Sequence, residues 1–514
     1  MDNYKKADRS HARVQAVLCD RTVLTDLTAD FSLPDYQPEI KRLLRTRVTV
    51  SPPDKYVGAA GAELSGTVDY SVLYAANDGG LWCAMQTGEY QFSVPTEMSS
   101  DFDIGEGVIC DVDTVSDMCT GRVAGPRKLS IKCRLRSRVR MLGTKLLEES
   151  IVGAKEDTVQ RLSGSAECCR VFVGTGEPLR LADEILFDAE EGNVRVISAE
   201  GEVYINEALA GSGCVNCRGE INLKLLLCKE GSEEPPTPQW RRIPFSQSVL
   251  TDGAEVNCVC TAKGVCTDIG ITVEDGRILC ETAVRIDAKA LRNETVFYTR
   301  DAYSTAALGQ AKYQSCQFPK LIKINEGNFS LNTMLSLGEA GLRIGQNVID
   351  VHLMPTVTEL ETENGKYILN GKCRCHAVLA GEEDMSSQEF EIPFRYEAEG
   401  SEEAVSAYEA TLTPLSCRIR MDGERIGIDA ELAVSLLTMG ESNISYLSEA
   451  VFDEPLARTG AYYTVCYPSG EDTLWSVAKR YHRSVSDIAE ANPLPPSAGA
   501  DARESLTGIS YLLV

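Results

Sequence analysis

Cys214 and Cys217 stand in a CxxC spacing beside glycines. That spacing suits two thiolate ligands to zinc, or a redox pair. A closed zinc site needs a second pair of donors, and Cys258, Cys260, Cys266 and Cys280 are available nearby. The competing reading is packing. Cys258 with Cys260, and Cys373 with Cys375, lie two apart, which on a strand puts each pair on one face as small buried groups. Packing is the stronger reading, so no metal or cofactor is expected. A general base must be held beside a nucleophile. The four histidines are His11, His352, His376 and His482. His352 and His376 fall in strand-like segments that are able to approach, and a structural role is the stronger reading. Carboxylates are everywhere, and runs such as Glu190–Glu191, Glu233–Glu234 and Glu402–Glu403 read as solvated loops. The chain has no GxxxxGK[ST], GxSxG or HExxH motif, which removes the usual phosphate loop, nucleophile elbow and zinc-protease helix. No catalytic residue is assigned, and the expected class is non-enzymatic.

The elements that carry these residues repeat. GTVDYSVLY at 66–74 resembles GEINLKLLL at 219–227 and GKCRCHAVL at 371–379. RKLSIKCRL at 127–135 resembles GRILCETAV at 276–284 and ERIGIDAEL at 424–432. A weaker anchor aligns IKRLLRTRVTV at 40–50 with segments from Val194 and Val348, at offsets of 154 and 154. RIPFSQ at 242–247 and EIPFRY at 391–396 recur between anchors, and their prolines suit a strand start or edge. The order and spacing predict three copies of one domain of about 150 residues, over 1–155, 156–310 and 311–458. Ile221, Leu223, Leu225 and Leu227 alternate with polar neighbours, as do Ile426, Ile428, Ala430 and Leu432. Period-two patterning predicts strands, so the fold class is mainly β, with sandwich-like repeats of antiparallel sheets. The clearest helical pattern in the repeats is Ile40, Leu43, Leu44 and Arg47. The segment DAYSTAALGQ at 301–310 fits either element.

From residue 459 the pattern changes. YYTVCY at 462–467 reads as a strand, and TLWSVAKRYH at 473–482 as a helix burying Leu474, Val477, Ala478 and Tyr481. Asp472 or Thr473 supplies its N-cap. Ser484 with Asp487 opens a second helix that stops at Asn492–Pro493, and YLLV at 511–514 is a final strand. This βααβ unit, 459–514, resembles the LysM module in YTV at 463–465, Gly470, DTLW at 472–475, Val477–Tyr481 and IAEAN at 488–492. The resemblance implies binding of peptidoglycan or other N-acetylglucosamine glycans, or of a protein partner, in a groove between two loops. Gly470, Asp472, Thr473, Leu474 and Trp475 would form one side, and Asn492, Pro493 and Leu494 the other. Leu474 and Trp475 read equally as helix core.

LPDYQPEIKRLL near the start, the IPF motifs and DAYST at 301–305 resemble the SPOCS domain, long catalogued as a domain of unknown function. Three such repeats before one LysM module resemble the SipL-like family of clostridial spore-coat morphogenetic proteins. That resemblance implies a coat-assembly scaffold in the mother-cell cytoplasm, whose LysM module contacts stage IV sporulation protein A, a coat ATPase. Alternatives are a glycan-binding wall protein and, less favoured, a wall hydrolase. Composition accords with a cytoplasmic site. Over 514 residues there are 76 acidic against 51 basic side chains, a formal charge of −25, which disfavours nucleic acid or an anionic membrane as partner. The opening stretch MDNYKKADRSHARVQAVLC lacks an apolar signal core, no apolar run is long enough to span a membrane, and 19 cysteines suit a reducing compartment.

Overall fold

Alternating apolar and polar residues dictate strands, and strands make up nearly all of the three repeats in this computed structural model. It describes residues 11–58, 60–96, 102, 107–186, 194–229, 234–274, 276–343, 345–381, 384–457, 464–494 and 505–514. Tyr462, Tyr463, Glu190, Glu191 and Glu233 lie outside the described residues.

Each repeat holds two antiparallel sheets. In repeat 1, β1 (His11–Ser32), β7 (Lys128–Glu148) and β6 (Val108–Gly125) form one sheet. The other contains β2 (Ile40–Val50), β3 (Asp54–Gly58), β4 (Gly61–Ala76) and β5 (Leu81–Pro95). A short β8 (Ser150–Val152) follows. In repeat 2, β9 (Val159–Thr175), β10 (Leu179–Leu186), β15 (Arg277–Ser304) and β14 (Val259–Glu274) face β11 (Val194–Ala210), β12 (Cys214–Lys229) and β13 (Thr237–Leu250). In repeat 3, β16 (Ala307–Ser336), β21 (Arg425–Pro455) and β20 (Ala407–Asp422) face β17 (Asn347–Glu363), β18 (Lys366–Ala380) and β19 (Met385–Glu399). Ile221, Leu223 and Leu225 of β12 pack against Ile278, Cys280 and Val284 of β15, so the apolar faces of the two sheets close on each other. The DAYS segment ends β15 and Ala307 begins β16, so the ambiguous stretch at 301–310 is strand on both sides of a turn.

The repeated glycine and the IPF motif explain one another. Gly219 faces Phe245 across the ladder, Gly371 faces Phe394, and Gly66 faces Tyr90. A Cβ at Gly371 would stand 2.3 Å from the Phe394 ring, and one at Gly66 2.7 Å from Tyr90. Glycine is what lets each ring lie flat over the neighbouring strand. Pro244 and Pro393 sit in β13 and β19, the edge strands of their sheets, where a missing N–H breaks no ladder.

The helix expected over Ile40–Arg47 is instead strand β2. Two bulges, at Ile40/Arg42 and Leu43/Arg45, interrupt its register with β4. Each bulge skips a residue and breaks the period-two alternation, which leaves a spacing that mimics a helix. The second bulge recurs at Val196/Ser198 in β11 and Val348/Asp350 in β17. The skipped residues are Leu44, Ile197 and Ile349, which lie 153 and 152 apart rather than the 154 and 154 of the weak anchor. All three meet in one buried cluster with Leu73, Leu226 and Val378. The bulges therefore turn equivalent residues of the three repeats onto a common axis, with approximate three-fold symmetry.

Beyond the sandwiches, the long strands run on as two-stranded ribbons: β1 with β7, β9 with β15, and β16 with β21. Val14, Cys168 and Cys316 meet there with Leu147, Val296 and Ile444, again one set per repeat. β8 of repeat 1 adds in parallel to β21 of repeat 3, which ties the first repeat to the third.

Candidate binding site on the C-terminal module

The last segment is a two-stranded sheet, β22 (Val465–Cys466) with β23 (Leu512–Leu513), flanked by α1 (Leu474–Tyr481) and α2 (Val485–Ala491). α1 starts at Thr473, whose hydroxyl accepts from Ser476 N at 3.1 Å while the Ser476 hydroxyl accepts from Thr473 N at 2.9 Å. This reciprocal capping box satisfies two otherwise orphaned donors. Asp472 is therefore not the cap. Its buried carboxylate accepts from Ser469 N at 2.8 Å and pairs with Arg480. Those donors hold it down to about 2. Asp472 thus stays ionised and fixes the loop before α1. Ser484 caps α2 by accepting from Asp487 N at 3.0 Å.

The eight residues expected to line the groove divide by burial. Gly470 and Pro493 are exposed, and Thr473 and Leu494 are half-buried. Asp472, Leu474, Trp475 and Asn492 are buried. Leu474 and Leu494 share the module core. The Asn492 side chain donates to Ile488 O and Leu513 O and accepts from Leu513 N, all at 2.8 Å. It staples the end of α2 to β23. The Gly470 carbonyl accepts from the hydroxyls of Ser505, at 2.8 Å, and Thr507, at 3.3 Å, and Leu506 N donates to Asp472 O at 2.9 Å. The loop before α1 is thus tied to the segment that enters β23.

Trp475 faces repeat 2. Its indole donates to Asp301 at 2.9 Å and its ring meets Tyr303 edge-on, 4.9 Å between centroids. Lys479, His482, Tyr303 and Ser304 complete this contact. DAYS was legible as a motif, but nothing in its spacing pointed to the module. His482 closes α1 as a left-handed C-cap at φ 51°.

A second polar concentration lies on the three-fold axis. Arg45 of β2 reaches both Glu200 of β11 and Asp350 of β17, the latter at 2.6 Å. Lys224 of β12 donates to Asp350 at 2.9 Å and to Val351 O at 3.0 Å, and pairs with Glu200 at 3.2 Å. Arg47 bridges Glu200 and Glu202. His352 Nδ1 lies 3.6 Å from Glu200. Burial, with Arg47 facing the ring, holds His352 well below the usual histidine range, so it is neutral. His376 is also lowered by burial; it contacts Leu44 O at 2.9 Å and Glu389 at 3.0 Å. The two histidines are register partners on β17 and β18. Their contacts are carboxylates and a carbonyl, so the pair serves the joint between repeats.

Cys214 and Cys217 lie on one strand, β12. A separation of three puts their side chains on opposite faces. Cys217 is fully buried in the sandwich core and burial pushes its thiol up to about 11, while Cys214 is half-buried on the other side. Cys258 lies one residue before β14 and Cys260 just inside it, and both pack on the same sandwich core, as small buried groups. Cys373 and Cys375 are both fully buried on β18. Among the described residues, no group of three potential ligands is placed to hold a metal.

The LysM domain model matches residues 471–498 of this chain. No curated protein and no solved structure matches it significantly. No described helix is long and apolar enough to cross a membrane.

Proposed function

We propose that this chain is a non-enzymatic assembly scaffold of the spore coat or envelope, akin to the SipL-like proteins that combine SPOCS repeats with a LysM module. In this reading it works in the mother-cell cytoplasm at the forespore surface. Its C-terminal module contacts stage IV sporulation protein A. The observation that carries the proposal is how the buried polar chemistry is used. Arg45, Arg47, Glu200, Lys224, Asp350 and His352 join repeat to repeat, and a LysM segment follows them in the chain. Glu200, Lys224 and His352 also line a small cavity with Trp240 and Cys417, but their polar atoms are engaged with one another across the joint, where an enzyme would hold them beside a reacting atom. The test is capture of the coat ATPase by the full chain and by a chain lacking 460–514. Equal capture by both rejects the module as the contact.

A LysM segment supports binding of peptidoglycan or related glycans, and this is the second reading. It predicts that the full chain sediments with insoluble peptidoglycan and that soluble chito-oligosaccharide releases it. A chain that stays in the supernatant rejects it.

A further inference from the structure

The contact between the module and repeat 2 has the composition of a recognition site. Four side-chain or backbone donors from three elements converge on one carboxylate. Asp301 accepts from Trp475 Nε1 at 2.9 Å, from Lys479 Nζ at 2.7 Å on each oxygen, from the Tyr313 hydroxyl at 2.6 Å, and from Ala302 N at 2.9 Å. Two residues on, the Tyr303 ring packs edge-on against Trp475, and its hydroxyl donates to Arg483 O at 2.7 Å. His482 Nδ1 lies 2.8 Å from Ser304 O. Trp475 is left 7% exposed. Buried aromatics ringed by a charge pair are what anchor protein interfaces.

The equivalent tips of the other two repeats present different residues. The spacing that superposes Leu147, Val296 and Ile444 in the ribbon core puts Val152 and Ala154 of repeat 1, and Glu449 and Val451 of repeat 3, where Asp301 and Tyr303 stand. Neither pair combines a carboxylate with an aromatic ring. Although the module follows repeat 3 in the chain, it docks on repeat 2.

We propose that the α1 face of the module is a recognition surface for a strand end bearing a carboxylate and, two residues later, an aromatic ring, and that the Asp301–Ser304 tip of a second copy of this chain can fill it in place of the chain's own. Both halves of the contact are carried by every copy, so exchange makes no new chemistry, only a new connection. In one chain the tip is presented at an effective concentration on the order of millimolar, which keeps the contact intramolecular in dilute solution. Crowding of chains on an assembling surface reaches the same range and links copy to copy. This goes beyond the module's external partner and rests on the scaffold reading only for its purpose.

The experiment uses full-length chains with Trp82→Phe and Trp240→Phe, so that Trp475 is the sole indole. Asp301→Lys and Lys479→Glu, made separately, each place like charges together within the chain. Each is expected to raise acrylamide quenching of Trp475 several-fold and to sediment as a monomer. Mixed in equal amounts, the intact tip of the Lys479→Glu chain meets the intact module of the Asp301→Lys chain. A one-to-one heterodimer with renewed Trp475 shielding is expected. Both substitutions in one chain restore shielding without a dimer. If either single variant loses its strand circular dichroism, Asp301→Asn and Lys479→Met take their places in the single-variant and mixing readings, and the charge-swapped double variant is left out. Trp475 shielded in both single variants, or a mixture that stays monomeric with Trp475 exposed, overturns the proposal. Neither the coat ATPase nor a glycan is present, so failure here is distinct from failure of the proposed function.

Discussion

Replacing Arg45 with methionine tests the joint between the repeats. The axis cluster contains three cations, Arg45, Arg47 and Lys224, and three anions, Glu200, Glu202 and Asp350, with His352 neutral. Arg45, Glu200, Lys224 and Asp350 are each at most 5% exposed. Removing Arg45 leaves Glu200 and Asp350 buried with Lys224 as their shared partner. Breaking a buried pair from one side costs about 3–5 kcal/mol, because the remaining charge stays out of water. The assay is urea unfolding read by Trp240, whose ring lies 5.7 Å from the Lys224 ammonium, alongside circular dichroism of the strands. With an m-value of about 2 kcal/mol per molar urea for the unit that opens, a loss of about 4 kcal/mol moves the Trp240 midpoint down by about 2 M. The strand signal of the individual sandwiches is expected to follow later, since their own cores are untouched. Adding Asp350→Asn restores the balance of charge and is expected to recover part of the loss, a coupling that a cycle of the two variants measures. A Trp240 midpoint within about 0.3 M of the parent for Arg45→Met is what a surface change produces, and it would refute the reasoning. So would a double variant that loses the sum of the single losses.

The same cluster sets a pH response. His352 and His376 have lowered folded values, so below about 6.5 the unfolded chain binds more protons and stability falls as pH falls. Glu200 is held well below the carboxylate range by Arg45 and Lys224 despite its burial, so it stays charged across that window. Urea midpoints measured from pH 7 to 5 should decline, and His352→Gln should flatten the decline. Asn492→Ala removes three hydrogen bonds at 2.8 Å and strands buried partners, at about 1–3 kcal/mol each. Hydrogen exchange should quicken over Val485–Ala491 and Leu512–Leu513 and stay unchanged in the repeats. Metal analysis of untagged protein should find no stoichiometric zinc, because Cys214 and Cys217 point to opposite faces of β12; one zinc per chain contradicts that geometry.

How much of this was legible depended on whether neighbours in sequence decide the outcome. β12 alternates Ile221, Leu223 and Leu225 with Asn222 and Lys224, and its strand character follows from that pattern alone. Its burial does not. A half-buried strand was the natural reading, yet Asn222 and Lys224 are 3% and 5% exposed, because another repeat covers their face. β2 shows the opposite failure: its bulges are made for the axis, and they disguise the local period as helical. In the module, both caps and the helix faces were readable, since capping and amphipathicity are local. The Thr473 box resolved an ambiguity between adjacent residues that composition alone left open. Trp475 was readable as helix core or as groove lining, and its actual partner Asp301, 174 residues away, was beyond any local rule.

Three-fold repetition accounts for the shape of the axis and not for its charge. At the bulge, repeat 1 carries Arg45, repeat 2 Ser198 and repeat 3 Asp350; two residues on they carry Arg47, Glu200 and His352. Identical copies would put three like charges at one buried point, at a cost no hydrogen bonding offsets. The sequences have instead diverged so that each repeat supplies what the others lack. Arg45 needs Glu200 on one side and Asp350 on the other, so the order of the repeats around the axis is specified chemically. A chain with repeats 1 and 3 exchanged would keep every sandwich core, and it would have to reach these pairs from permuted connections. That is the physical reason to treat the three repeats as one closed body, on which the LysM segment docks through repeat 2.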